Sequence, residues 1–191
     1  MALSNDEIEE LVVKASDALK ILQGEFGRKN VALARVRFPR GFIRTAAECR
    51  QTLPNIGTEI QRRNASYALM TSDIFRWIAV RTDLSGPALS LVVKESIAVI
   101  GVICEWLTKE GTRGSASGRP YAERTKKLVE LNQINQSLKD ELDWIWGVRC
   151  KEHFYDIETL EHDKYTRADY GRALTAYSTL RDYLVAIHGA A

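Results

Sequence analysis

Helical periodicity dominates the chain, with few alternating runs of β-branched residues and only four prolines. Ile8, Leu11, Val12, Ala15, Ala18, Leu19 and Leu22 fall on one face of a first helix. Ser4 or Asn5 caps it ahead of acidic first-turn residues, and it closes near Gly24 or Gly27. The stretch RKNVALARVRFPRGFIR breaks that rhythm: Ala32, Ala34, Val36 and Phe38 alternate with basic residues, which predicts a loop or short strand broken at Pro39-Arg40-Gly41. A helix is expected over Phe42 to Leu53, interrupted by Pro54. A longer one then runs through TEIQRRNASYALMTSDIFRWIAVRT, with Tyr67, Met70, Ile74, Trp77 and Ile78 turned inward.

After a turn at Asp83 to Pro87, the apolar residues from Ala88 to Lys109 nearly surround the helix axis, which predicts the most buried helix of the protein. GTRGSASGRP reads as a flexible connection. YAERTKKLVELN predicts a short helix, and Gln136 to Tyr155 another, packing through Leu138, Leu142, Ile145 and Trp146. Thr166 and Asp169 have capping-box spacing and open a last helix through Leu174, Tyr177, Leu180 and Leu184. No internal repeat is present, and the pattern gives an all-α helical bundle.

Composition narrows the classes of function. With 191 residues, 45% hydrophobic and 27% charged, the chain suffices for one sizeable core. A net charge of +2 does not mark a nucleic-acid binder as a whole, so any such role needs local clustering. One cluster exists: between Arg28 and Arg63 nine arginines and lysines face only Glu48 and Glu59, with Phe38, Phe42 or Tyr67 near for base stacking. The same strip also reads as a solvated surface balanced by the acidic first helix. Cys49, Cys104 and Cys150 are odd in number and form no CxxC pair, which argues against a disulfide framework or a zinc site and suits a reducing cytosol. No export signal is expected from MALSNDEIEELVVK, and SIAVIGVICEWL alone is too short to span a bilayer, so no membrane role is expected. Neither a metal nor a cofactor is expected.

Chemistry concentrates in WIWGVRCKEHFYD. On a continuous helix, Arg149 and His153 are separated by about 40° around the axis and about 6 Å along it, so both reach one anionic group. An arginine fork binds phosphate in two places, and an imidazole moves a proton near neutrality. Metal-free RNA cleavage uses such groups: a base for the ribose 2′-OH, an acid for the leaving 5′-oxygen and a cation for the charge on phosphorus. One histidine cannot serve as both acid and base, so two copies would have to meet at a shared cleft. An Arg and a His four apart also recur as solvated residues of one helix face.

The order of elements resembles the HEPN domains, an α-helical family that includes many metal-independent RNases. SIAVIGVICEWLTKEG is similar to the family's buried helix ending in an acidic residue, ELDWIWGVRCKEHFYD to its Arg/His helix, and ADYGRALTAYSTLRDYL to its last helix. The resemblance covers about 66–186 and divides the chain into an N-terminal helical extension with the basic segment, 1–65, and an HEPN-like bundle, 66–191. It implies that Arg149 holds the scissile phosphate, His153 transfers the proton, Glu105 orients the arginine, and Tyr155 matches the HxY ending of a toxin branch whose tyrosine a partner nucleotidyltransferase modifies. It further implies RNA as substrate, a homodimer, and an antitoxin or nucleotidyltransferase partner. The chain departs from the family in two places: three residues separate Arg from His instead of four to six, and Cys150 follows the arginine where a polar residue is common. Catalytically silent scaffolds of the same fold are the second implication.

Overall fold

A computed structural model describes residues 2–38, 40–151 and 164–189 of the chain. Among them are seven α-helices and no strand: α1 (Asn5–Phe26), α2 (Ala46–Gln51), α3 (Glu59–Arg81), α4 (Gly86–Gly111), α5 (Tyr121–Glu130), α6 (Gln136–Cys150) and α7 (Arg167–Gly189). The protein is an all-α bundle. The chain divides into two compact units, 1–40 and 41–191; residues 65 and 66, where the sequence reading placed its boundary, lie inside α3.

The first unit holds α1, capped by Ser4, whose hydroxyl accepts from the Glu7 amide while the Glu7 carboxylate accepts from the Ser4 amide. Gly27 closes the helix at a φ of +55°, a conformation that glycine adopts readily. None of the residues of α1 is buried, the apolar face included. Among its described residues the alternating stretch forms no strand; two 3-10 turns, Ala32–Ala34 and Arg40–Phe42, occupy part of it.

In the second unit everything is arranged around α4. Val93, Ile97, Ile100, Ile103, Cys104 and Leu107 are buried, and α3, α5, α6 and α7 pack against this helix. Its 26 residues exceed the expected start, because Pro87 sits in the first turn, where its missing N–H costs nothing. By length and composition α4 is also long and apolar enough to cross a membrane, unlike the twelve-residue SIAVIGVICEWL segment alone; more than half of its most apolar stretch is buried inside the bundle. Gly111 lets its end approach closely: an added Cβ would stand 2.9 Å from Leu184 Cδ2 and 3.0 Å from Leu128 Cδ2.

The helix expected over Phe42 to Leu53 is limited to α2, which the Thr45–Glu48 capping box starts only at Ala46. The inward face of α3 carries Ala65, Ser66, Leu69, Ser72, Asp73 and Ala79, while Tyr67 and Ile74 are exposed. Small and polar residues can line this face because each polar group finds a partner. Ser66 donates to the Arg63 carbonyl, Ser72 and Tyr170 share a 2.5 Å hydroxyl contact, and Asp73 receives Arg44. The Gly-rich connection after α4 is likewise a run of hydrogen-bonded turns, with Ser115 and Ala116 both donating to the Thr112 carbonyl.

Arg44 meets Asp73 in a fork, Nε to Oδ2 at 2.9 Å and Nη2 to Oδ1 at 2.8 Å, and its backbone N–H adds a third bond at 3.0 Å. The hydrogen bond to Asp73 raises the guanidinium's pKa above its ordinary value against the opposing effect of burial. Asp73→Asn leaves a partly buried arginine without its counter-charge and is expected to lower stability by about 2 kcal/mol in urea unfolding, the exposure of Arg44 reducing the full cost of breaking a buried pair. An unchanged midpoint contradicts this.

Candidate functional site

Two of the candidate residues, Arg149 and Glu105, meet where α4, α5 and α6 come together. Gly101 on α4 allows the approach of α6: a Cβ there would stand 3.2 Å from Arg149 Cβ and 3.3 Å from Ile145 Cγ2. From this crossing Arg149 reaches Glu105, one turn further along α4, with Nη2 3.2 Å from Oε2. Its guanidinium carbon lies 4.6 Å from the centre of the Trp146 ring, close enough for a cation–π attraction. Its Nε is buried and has no hydrogen-bond partner among the described residues.

Glu105 serves more than Arg149. Lys109, one turn along α4, approaches Oε1 at 3.3 Å, and Arg124 of α5 approaches the same oxygen at 3.9 Å. Arg124 is almost wholly buried, held by Nε to Thr108 Oγ1 at 3.3 Å and Nη1 to the Arg119 carbonyl at 2.6 Å. Burial pushes its pKa down from the ordinary arginine value, with the charge of Glu105 opposing. Beneath the cluster Tyr121 and Trp146 stack, their centres 4.5 Å apart and their planes within 5°, while Tyr121 Oη donates to the Leu142 carbonyl. Burial raises the pKa of Tyr121, which keeps it a neutral donor.

The C-terminal end of α6 is fixed from α4 as well. The buried Lys94 donates from Nζ to the Lys151 carbonyl at 2.8 Å. A cation at that position satisfies an end carbonyl and opposes the negative end of the helix dipole. Here the structure departs from the expected helix Gln136–Tyr155: α6 ends at Cys150, and the Lys151 N–H turns back to the Val148 and Arg149 carbonyls. α6 itself therefore carries Arg149 but does not extend to position 153. His153 and Tyr155, together with His162, lie outside the described residues.

Of the expected site residues, the structure brings Arg149 and Glu105 together and places Cys150 half-buried at the end of α6. Lys94, Lys109 and Arg124 were not singled out by sequence reasoning. Lys109 was detectable as a cation four residues after Glu105 on one helix, whereas Lys94 and Arg124 arrive by tertiary packing alone. In the basic strip, Arg44 is bound to Asp73, and Arg62 and Arg63 to Glu59, which commits three of its arginines to carboxylates. Comparison with protein-family models, curated proteins and solved structures finds no match to this chain.

The three cysteines differ in access. Cys49 and Cys104 are buried, and burial alone raises the Cys104 thiol to about 12, whereas Cys150 is partly exposed. A thiol reagent is expected to modify one cysteine rapidly in the native protein and three after unfolding in denaturant, with Cys150→Ser abolishing the fast reaction. Fast modification that survives this substitution contradicts the placement of Cys150.

Proposed function

We propose that this chain is an HEPN-like, metal-independent endoribonuclease that acts as a homodimer in the cytoplasm, in the manner of a toxin or defence effector with an antitoxin or nucleotidyltransferase partner. The observation that carries the reading is the pairing of Arg149 with Glu105 across α4 and α6. A carboxylate from the buried helix orients an arginine at the end of the next long helix. The arginine keeps about a third of its side chain in solvent and is followed closely in sequence by His153 and Tyr155.

In this reading Arg149 holds the phosphate, and His153 of one copy removes the 2′-OH proton while His153 of the other protonates the leaving oxygen. Glu105 sets the arginine's direction, Cys150 packs beside it, and Tyr155 is the site a partner would modify. A second reading is a catalytically silent scaffold of the same fold that holds a protein or nucleic-acid partner. It is favoured by how fully Arg149 is already engaged, by Glu105 on one side and the Trp146 ring on another.

An RNA-cleavage assay in EDTA on the parent, Arg149→Ala and His153→Ala separates the two. The ribonuclease reading expects cleavage by the parent and a loss of at least about 100-fold in each variant. An inactive parent establishes the scaffold, and activity that survives both substitutions removes the site assignment.

A further inference from the structure

Glu105 carries one negative charge and faces three cations. Lys109 and Arg124 stand at Oε1 and Arg149 at Oε2, and none of the three pairs with another carboxylate among the described residues. The nearby acids are engaged elsewhere: Glu110 with Arg113, Glu123 with Arg119, and Asp143 with Lys139 and Thr125. The junction of α4, α5 and α6 thus holds a surplus of two positive charges around one carboxylate. Such a surplus at a partly buried position is stabilised by a second anion, since a reduced dielectric strengthens attraction and repulsion alike.

The three cations differ in what they can do. Arg124 is 5% exposed and fixed by Thr108 and the Arg119 carbonyl, so it cannot leave the interior. Lys109 is 48% exposed and Arg149 33%, so these two face an approaching ligand. They stand at opposite oxygens of Glu105. The two unesterified oxygens of a phosphodiester have nearly the spacing of the two oxygens of a carboxylate, so a phosphate taking the place of Glu105 offers acceptors to the same two donors.

We propose that Lys109 and Arg149 together form a phosphodiester-binding centre in which Glu105 is the resident counter-ion that the ligand displaces, while Arg124 retains the released carboxylate. This rests on the ribonuclease reading for its choice of a polynucleotide, and it extends that reading: Lys109 becomes a substrate-binding residue, and Glu105 becomes a competitor of the substrate as well as the group that orients Arg149.

The test is an anisotropy titration of a fluorescently labelled 2′-deoxy oligonucleotide, which lacks the attacking hydroxyl and is not cleaved by this chemistry, at several salt concentrations. The proteins are the parent, Lys109→Gln, Glu105→Gln and, as control, Lys126→Gln, an exposed lysine on the opposite side of α5 from Arg124. Lys109→Gln is expected to weaken binding about three- to tenfold and to reduce the salt slope by about one, Glu105→Gln to tighten binding, and Lys126→Gln to change neither. Equal losses in Lys109→Gln and Lys126→Gln, a folded Glu105→Gln protein that binds no tighter, or a parent that binds inorganic phosphate but no oligonucleotide overturns the proposal. Should Glu105→Gln fail to fold, the contrast between Lys109→Gln and Lys126→Gln decides. The expected binding pattern without RNA cleavage leaves the phosphate centre standing and removes the ribonuclease; cleavage with binding indifferent to Lys109 does the reverse.

Discussion

The second unit depends on one constraint: α4 is enclosed by other helices over most of its circumference. Apolar residues satisfy that enclosure without cost, but Ser90, Lys94, Ser96, Thr108 and Glu110 are buried on the same helix and each must find a partner inside the protein. Ser96 and Glu110 find theirs locally, at the Val92 carbonyl and Arg113, while the other three fix neighbouring elements. Ser90 accepts the Tyr165 amide just before α7, Lys94 holds the end of α6, and Thr108 accepts from Arg124 of α5. The polar residues of the most apolar helix therefore determine where three other helices end, begin or lie.

Glu105 follows from the same constraint at the edge of the buried surface. Three-quarters covered, it stands beside three cations, and those cations come from α4 itself, α5 and α6. Gly101 is the steric condition for the arrangement, because any side chain there would press on Arg149 and Ile145. Below, the Tyr121–Trp146 stack supplies a flat apolar floor and an attraction for the guanidinium. The chemical character of the junction, cationic and partly shielded from water, comes from packing as much as from the residues' own charges.

What the sequence made legible was what local rules govern. Helix starts at Ser4 and Thr166 follow from capping spacing, and Thr45-Ala-Ala-Glu48 and Thr58-Glu-Ile-Gln61 carried the same signal without being used. The surrounded axis of α4 and the pairing of Glu105 with Arg149 were also readable, the second only through a family resemblance. What failed was governed by tertiary satisfaction of polar groups. Ser72 and Asp73 line the inner face of α3, where periodicity favoured Tyr67 and Ile74, because Tyr170 and Arg44 reach them from far along the chain, while Ser66 is satisfied within the helix by the Arg63 carbonyl. The continuation of α6 to Tyr155 was inferred from periodicity, and the turn at Lys151, held by Lys94, ends it earlier.

The claim on which the account rests is that Glu105 and Arg149 join α4 to α6 by a direct interaction. A double-mutant cycle in urea unfolding, using Glu105→Gln, Arg149→Gln and both together, measures that interaction apart from the loss of each side chain's own packing. A favourable coupling of about 1 kcal/mol is expected, the partial exposure of both groups keeping it below the value of a fully buried pair. Strictly additive effects would contradict it.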